Sequence, residues 1–174
     1  LELRDVTLTD YKDTVASLEL LSVRISPFRI FTRRIVVKDI LLDGADVQLK
    51  QDSAGIYNIA KIFPSEEDTD TTKSEFPFII QLENLEVRRL NFSMSDDRFT
   101  KRKPVYDTLN LADLKIDNLS LRLHSEIKLN SSEYDLTIDD ISFASNIRDF
   151  GMKQSSGKIR LDTNGVVIDN LNLT

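Results

Sequence analysis

Cysteine is absent from the 174 residues, which excludes a disulfide framework and thiolate chemistry and leaves the redox compartment open. Histidine occurs once, as His124. It follows Arg122 on the face opposite Leu119, Leu121 and Leu123, so it reads as a solvated polar residue and not as a base or metal ligand. Only five glycines are present, and there is no nucleophile elbow, Gly-rich phosphate loop or His-Glu-x-x-His helix. Nothing here points to catalysis, and no cofactor is implied. No apolar run reaches the length of about 18 residues that a membrane-spanning helix needs. Positive charge is in the minority, 23 basic against 29 acidic residues, a net charge of −6. That balance argues against nucleic acid as a partner.

The charged residues that stand together are read as solvated. Arg33–Arg34, Arg88–Arg89 and Arg98 with Lys101, Arg102 and Lys103 could meet anionic head groups, but strand-end charges are the commoner case. The stretch 64–75, PSEEDTDTTKSE, has no apolar residue and reads as a mobile acidic surface loop. Its carboxylates lack the alternating Asp and central Gly of a calcium loop. Asn91, Asn118, Asn130 and Asn172 open Asn-x-Ser/Thr triplets, which matter only in a eukaryotic secretory setting.

What the chain has is alternation. In the stretch 35–63, IVVKDILLDGADVQLKQDSAGIYNIAKIF, apolar residues fall at 35 and 37, at 40 and 42, and at 45, 47 and 49. Within each group the step is two, as in a half-buried strand. Between groups it is three, which a β-bulge or bend accommodates while adding twist. Asp43–Gly44 fits either a tight hairpin turn between Leu42 and Val47 or a bulge in one long strand. After Gly55, residues Ile56, Tyr57, Ile59, Ile62 and Phe63 suit one or two helical turns with Asn58 and Lys61 outward.

The unit recurs. An apolar residue, any residue, Asp or Asn, an apolar residue, any residue and an apolar residue appear as LRDVTL (3–8), VKDILL (37–42) and LENLEV (82–87). They appear again as IDNLSL (116–121), IDDISF (138–143) and IDNLNL (168–173), with steps of 34, 45, 34, 22 and 30 residues. This is an irregular repeat of a strand. Asp5, Asp39, Asn84, Asn118, Asp140 and Asn170 then sit at outward or bulge positions, where a short polar side chain can bond a backbone group left open by the kink.

Strands are expected over 1–8 and 18–25, along 76–94, 109–129, 134–143 and 159–173, with a hairpin at Asn164–Gly165. The five-residue beat never runs long enough for a β-solenoid, so antiparallel strands are preferred. The expected fold is a single mainly β domain, 1–174. It is a strongly twisted antiparallel sheet of bent, bulged strands curled into an open groove, with one or two short helices. A sandwich closed on itself is the alternative. An opening at Leu1 and an ending within a strand suggest a piece of a longer protein.

The run 13–63, with its Asp-Thr start, Ser-Val-x-Ile stretch, strand pair I-x-V-x-x-I-x-L-x-G-x-x-V-x-L and Asn58 opening an Ile-rich segment, resembles the N-terminal region of AsmA-like proteins of the TamB type. The remainder resembles that family's strand repeats in general form. The resemblance implies a periplasmic protein of a Gram-negative bacterium, held at the inner membrane by an anchor outside this stretch. It implies a β-groove that lets phospholipids cross to the outer membrane, with an Omp85-class outer-membrane barrel as a partner. On this basis acyl chains would lie against Val37, Ile40, Leu42, Val47, Leu49, Leu85, Val87, Leu119, Leu121 and Leu123. The other function to be weighed is a scaffold for outer-membrane protein assembly that pairs an edge strand with such a barrel.

Overall fold

The structure, a computed structural model, describes residues 1–10, 13–27, 29, 34–62, 79–98, 112–128, 134–162 and 165–173. The acidic loop 64–75, the turn at 130–132, Phe63, Leu109 and Leu111 lie outside these. Eight strands carry nearly all of the described chain: β1 (Glu2–Asp10), β2 (Asp13–Ser26), β3 (Arg34–Gln51), β4 (Ile79–Asp96), β5 (Asp113–Lys128), β6 (Tyr134–Ser145), β7 (Met152–Asp162) and β8 (Gly165–Leu173). The one described helix, α1, is a single turn, Asn58–Ile62.

The strands form one sheet in sequence order, from β1 at one edge to β8 at the other. The sheet does not close into a barrel, and it forms an open, twisted groove. Six of its seven junctions are antiparallel, including the hairpin that ends with Asp162 opposite Gly165. The exception is β3 and β4, which run parallel at a constant offset of 45 residues, from Arg34 beside Ile79 to Gln51 beside Asp96. The sheet is therefore mixed where sequence patterning predicted antiparallel pairing throughout. The chain leaves the end of β3 through α1 and returns to the starting end of β4, the long crossover that parallel neighbours require. That offset equals the step between VKDILL and LENLEV, so these two copies lie side by side.

Asp43–Gly44 is not a hairpin. β3 runs through it as one 18-residue strand, bent at Gly44 with φ +64°. The same left-handed backbone occurs at Asp5 (φ 52°), Arg89 (φ 53°), Asn118 (φ 53°) and Asn170 (φ 54°). Three of the six Asx positions of the repeated unit are thus kinks of the expected kind, and Asx tolerates this conformation better than most residues. Asn84 instead stays extended and bonds the carbonyl of Lys38 on the neighbouring strand at 2.9 Å. Asp39 takes Arg24, and one carboxylate oxygen of Asp140 is buried with no partner.

Burial is thin, as expected for a single layer. Among the described residues only Val15, Val36, Ala45, Val87 and Leu114 form a buried apolar set. By alternation Val15 and Val36 point away from the face that Ala45, Val87 and Leu114 share.

The segment after β3 corrects one expectation. Asn58 is buried, at 6% exposure, while Ile56 and Ile59 are exposed. Beyond Val47 the pairing of β3 with β2 ends, and Asn58 bonds the side of β3 that faced β2. Its Nδ2 donates to the carbonyl of Gln48 (2.8 Å) and its Oδ1 accepts from the amide of Lys50 (3.1 Å). Oδ1 also accepts from Ile59 N, the next residue along the chain, at 3.0 Å. Satisfying buried backbone groups outweighs hiding two isoleucines here.

Candidate functional site

Cα partners across a ladder put their side chains on the same face. Reading the register from strand to strand therefore sorts the apolar residues into rows. One row runs Leu3, Leu21, Leu42, Val87, Leu121, Ile141 and Ser155, from β1 to β7. A second runs Val23, Ile40, Leu85, Leu123, Ile138 and Gly157. A third runs Leu8, Ala16, Val47, Phe92, Ile116 and Ser145. Shorter rows join Ile25, Val37 and Leu82, then Leu90 and Leu119, then Leu49, Met94 and Leu114. The steps of three in the sequence are what keep these rows on one face past each kink, because a kink absorbs the extra residue.

All ten groove candidates fall on these rows. Val37, Ile40, Leu42, Val47 and Leu49 lie along β3, Leu85 and Val87 along β4, and Leu119, Leu121 and Leu123 along β5. Val87 is buried at 8% exposure and the other nine are half-buried. Half-burial is what neighbours in the same sheet give when no second layer lies over them. The rows named contain no charged side chain. They also hold residues that the ten omit, notably Leu21, Leu82, Phe92, Ile138 and Ile141, which carry the same spacing and could have been included on that ground.

The other face is polar and internally bonded. Arg24, Asp39, Asn84 and His124 stand in one row across β2 to β5. Arg24 is paired with Asp39, and the amide of Asn84 donates to Asp39 at 3.2 Å. Asn84 Oδ1 lies 2.6 Å from His124 Nδ1. An amide oxygen only accepts, so Nδ1 carries the proton and Nε2 is left toward solvent. His124 thus belongs to the polar set, as its sequence position implied.

A second polar row holds Thr7, Ser17, Asp46 and Asn91. Asn91 Oδ1 accepts from the backbone N of Asn118 at the β5 kink, at 3.0 Å. Beside it, Arg89 reaches Glu19 at 2.7 Å and Asp43 at 2.8 Å. A hollow of about 510 Å³ lies over this region, lined by Asp5, Thr7, Glu19, Asp46, Arg89 and Asn118 among others. Val6, Leu18 and Ala45, which are paired in register with one another, also line it, so the hollow is mixed in character and meets both polar and apolar side chains.

Of the described basic residues in the small clusters, Arg88, Arg89 and Arg98 are engaged within the protein, and Arg34 is exposed. Arg88 pairs with Glu86 at 2.9 Å, and Arg98 pairs with Asp96 at 2.7 Å. Hydrogen bonding to Arg98 holds the Asp96 carboxyl below its ordinary value of 3.8, against the opposing effect of burial. Lys61 does the same for Asp52, with the Ile56 amide adding to it. No group of three or more His, Asp or Glu suited to a metal occurs among the described residues. No described helix is long and apolar enough to cross a membrane.

Compared with known proteins, no family model matches the chain, and no curated protein or solved structure matches it significantly. The geometry of the two faces therefore carries the functional argument.

Proposed function

We propose that this chain is a non-enzymatic section of a lipid-carrying groove, in which phospholipid acyl chains lie against the apolar rows and head groups remain in water at the open side. The observation that supports this best is the register of uncharged, mostly half-buried apolar side chains that the rows carry from β2 to β5 and, in two of them, on to β6. Burying such surface is worth about 25 cal/mol per Å², enough to hold an acyl chain without a specific polar contact. Because successive rows are chemically alike, no position holds a chain much better than the next, and the chain can slide. An apolar face of this extent on an otherwise charged protein is a binding surface by its nature.

The setting that suits this activity is the periplasm of a Gram-negative bacterium, with the groove lying between inner and outer membranes. The family resemblance of 13–63 supports that setting, together with an inner-membrane anchor and an Omp85-class barrel as partners. A second reading, a scaffold that adds an edge strand to a barrel partner, is favoured by the apolar residues exposed on β8, where Val166, Val167, Ile168 and Leu171 are all open to solvent.

Extraction of fluorescent phospholipid from vesicles separates the two. The groove predicts that the chain takes up lipid, and that Leu85→Asp with Leu121→Asp abolishes uptake while the strand content by circular dichroism is kept. Uptake unchanged in that double variant would overturn the groove and leave the scaffold.

A further inference from the structure

The kinks of separate strands meet at one place. Left-handed residues of four strands, Asp5 of β1, Gly44 of β3, Arg89 of β4 and Asn118 of β5, all line the hollow of about 510 Å³. Asp5 and Asn118 are the Asx of the repeated unit in LRDVTL and IDNLSL, so the hollow is a product of the kink pattern. Its volume lies within the range of small-molecule sites. Side chains make its lining, so a further strand paired to the backbone of β1 would leave it in place.

The hollow carries uncommitted groups of both charges. Arg89 gives Nε to Asp43, and Nη2 to Glu19 and Asp43, while Nη1 donates to no described residue. Asp5 has no ion-pair or hydrogen-bond partner among the described residues. Asp46 accepts from Gln48 with Oδ1 at 2.9 Å and leaves Oδ2 unused by any described residue. A guanidinium N–H suits a phosphate oxygen. Two carboxylates suit an ammonium, which has three N–H groups to give and nothing to accept with. A free phosphate would meet Asp5, Glu19 and Asp46 around a single guanidinium, and a simple amine would leave Nη1 unmatched. A group that joins phosphate to ammonium over a short linker meets both. Ala45, which shares its face with Val87, lines the hollow together with Val6 and Leu18, so the polar groups adjoin apolar surface.

We propose that this hollow is a head-group site for a phospholipid of the phosphoethanolamine type, with the phosphate on Arg89 and the ammonium on Asp5 and Asp46. The assignment rests on the lipid-carrying reading of the apolar rows and adds which lipid the chain prefers. A trimethylated ammonium has no N–H for the carboxylates, and an anionic head group brings no positive charge to them. The side chain of Arg89 is 55% exposed. Ion pairs this open to water are weak, so the site biases the choice of lipid without trapping it.

Water-soluble head groups test the site without the groove. Glycerophosphoethanolamine titrated into the isotope-labelled chain should give saturable amide shifts at Asp5, Asp46, Arg89 and Asn118. Glycerophosphoglycerol should give none that saturate. Asp5→Asn keeps a residue that tolerates the left-handed backbone and removes one charge, so it should weaken the first titration about two- to fivefold. From vesicles of equal phosphatidylethanolamine and phosphatidylglycerol, the extracted lipid should be enriched in the former. Asp5→Asn should lose the enrichment and keep the total uptake. Leu85→Asp with Leu121→Asp should lose the uptake and keep the titration, because neither residue lines the hollow. No uptake by the native chain, with the titration intact, would overturn the groove and leave the head-group site. A titration without saturable shifts at these amides, or extracted lipid of the same composition as the vesicles, would overturn the head-group site itself.

Discussion

Glu19 of β2 and Arg89 of β4 meet at 2.7 Å directly over Gly44 of β3, the strand that lies between theirs. A Cβ on Gly44 would stand 2.4 Å from Glu19 Cδ, so the missing side chain is what lets the ion pair cross the strand. The same glycine holds φ at +64°, where a Cβ is strained in any case. Gly44→Ala should destabilise the protein by about 1–2 kcal/mol from the backbone alone, and should also displace Glu19. Urea unfolding measures the first effect. Arg89→Gly removes the same ion pair but relieves a left-handed non-glycine residue, so its unfolding midpoint should move much less than that of Gly44→Ala.

Asn58 is expected to matter more than its place in a one-turn helix suggests. Asn58→Ala leaves Gln48 O and Lys50 N without the partners described above, at a cost of about 1–3 kcal/mol. Amide hydrogen exchange at Lys50 should accelerate in that variant and stay slow at Phe92 in the sheet centre. Asn58→Asp keeps the acceptor for Lys50 but sets a buried carboxylate oxygen against the carbonyl of Gln48, so it should cost at least as much as Asn58→Ala.

Acid should loosen the end of the sheet that carries Asp96 and Asp52. Both carboxyls are held below the ordinary value of 3.8 in the folded protein, Asp96 by its hydrogen bonds to Arg98 and Asp52 chiefly by Lys61. A carboxyl with a depressed folded pKa contributes stability that is present above its unfolded pKa and is lost as pH falls toward the folded one. Stability should therefore be flat from neutral pH down to about 5 as far as these two groups are concerned, and should fall below about 4. Thermal melts of Asp96→Asn across that range should show a shallower acid slope than the native chain.

Substitutions along one apolar row should separate folding from binding. Val87 and Leu121 are cross-strand partners, but Val87 is buried and Leu121 is half-exposed. Val87→Asp places a charge where it cannot be hydrated and should unfold the sheet locally or globally. Leu121→Asp leaves its carboxylate within reach of water, so the fold should survive while uptake of phospholipid drops. The melting temperature and the vesicle extraction assay, measured on the same samples, report the two effects.

Much of this architecture was legible in the sequence because the kinks leave a trace. The alternation at Ile40, Leu42, Ala45 and Val47 gives the strand, and the step of three at Gly44 gives the bend. Direction leaves no such trace. VKDILL and LENLEV read alike whether their strands run parallel or opposed, and only the match between their 45-residue step and the observed register shows the parallel pair in retrospect. Asp43–Gly44 was ambiguous because a type I′ turn and a strand bulge both need a residue with positive φ. Asn58 was misplaced because apolar spacing ranks isoleucine above asparagine for burial, whereas an open ladder end favours a side chain that carries both a donor and an acceptor. The ten groove candidates follow the alternation that generates the rows, and the same alternation carried further gives Leu21, Leu82 and Phe92.

Photo-crosslinking from single positions on the two faces tests the central claim most directly. A benzoylphenylalanine placed at Leu121, on the apolar face, and another at Arg122, on the polar face, are exposed to phospholipid vesicles and irradiated. The account predicts a covalent phospholipid adduct by mass spectrometry at 121 and none at 122. Adducts at both positions in equal yield, or at neither, would contradict it.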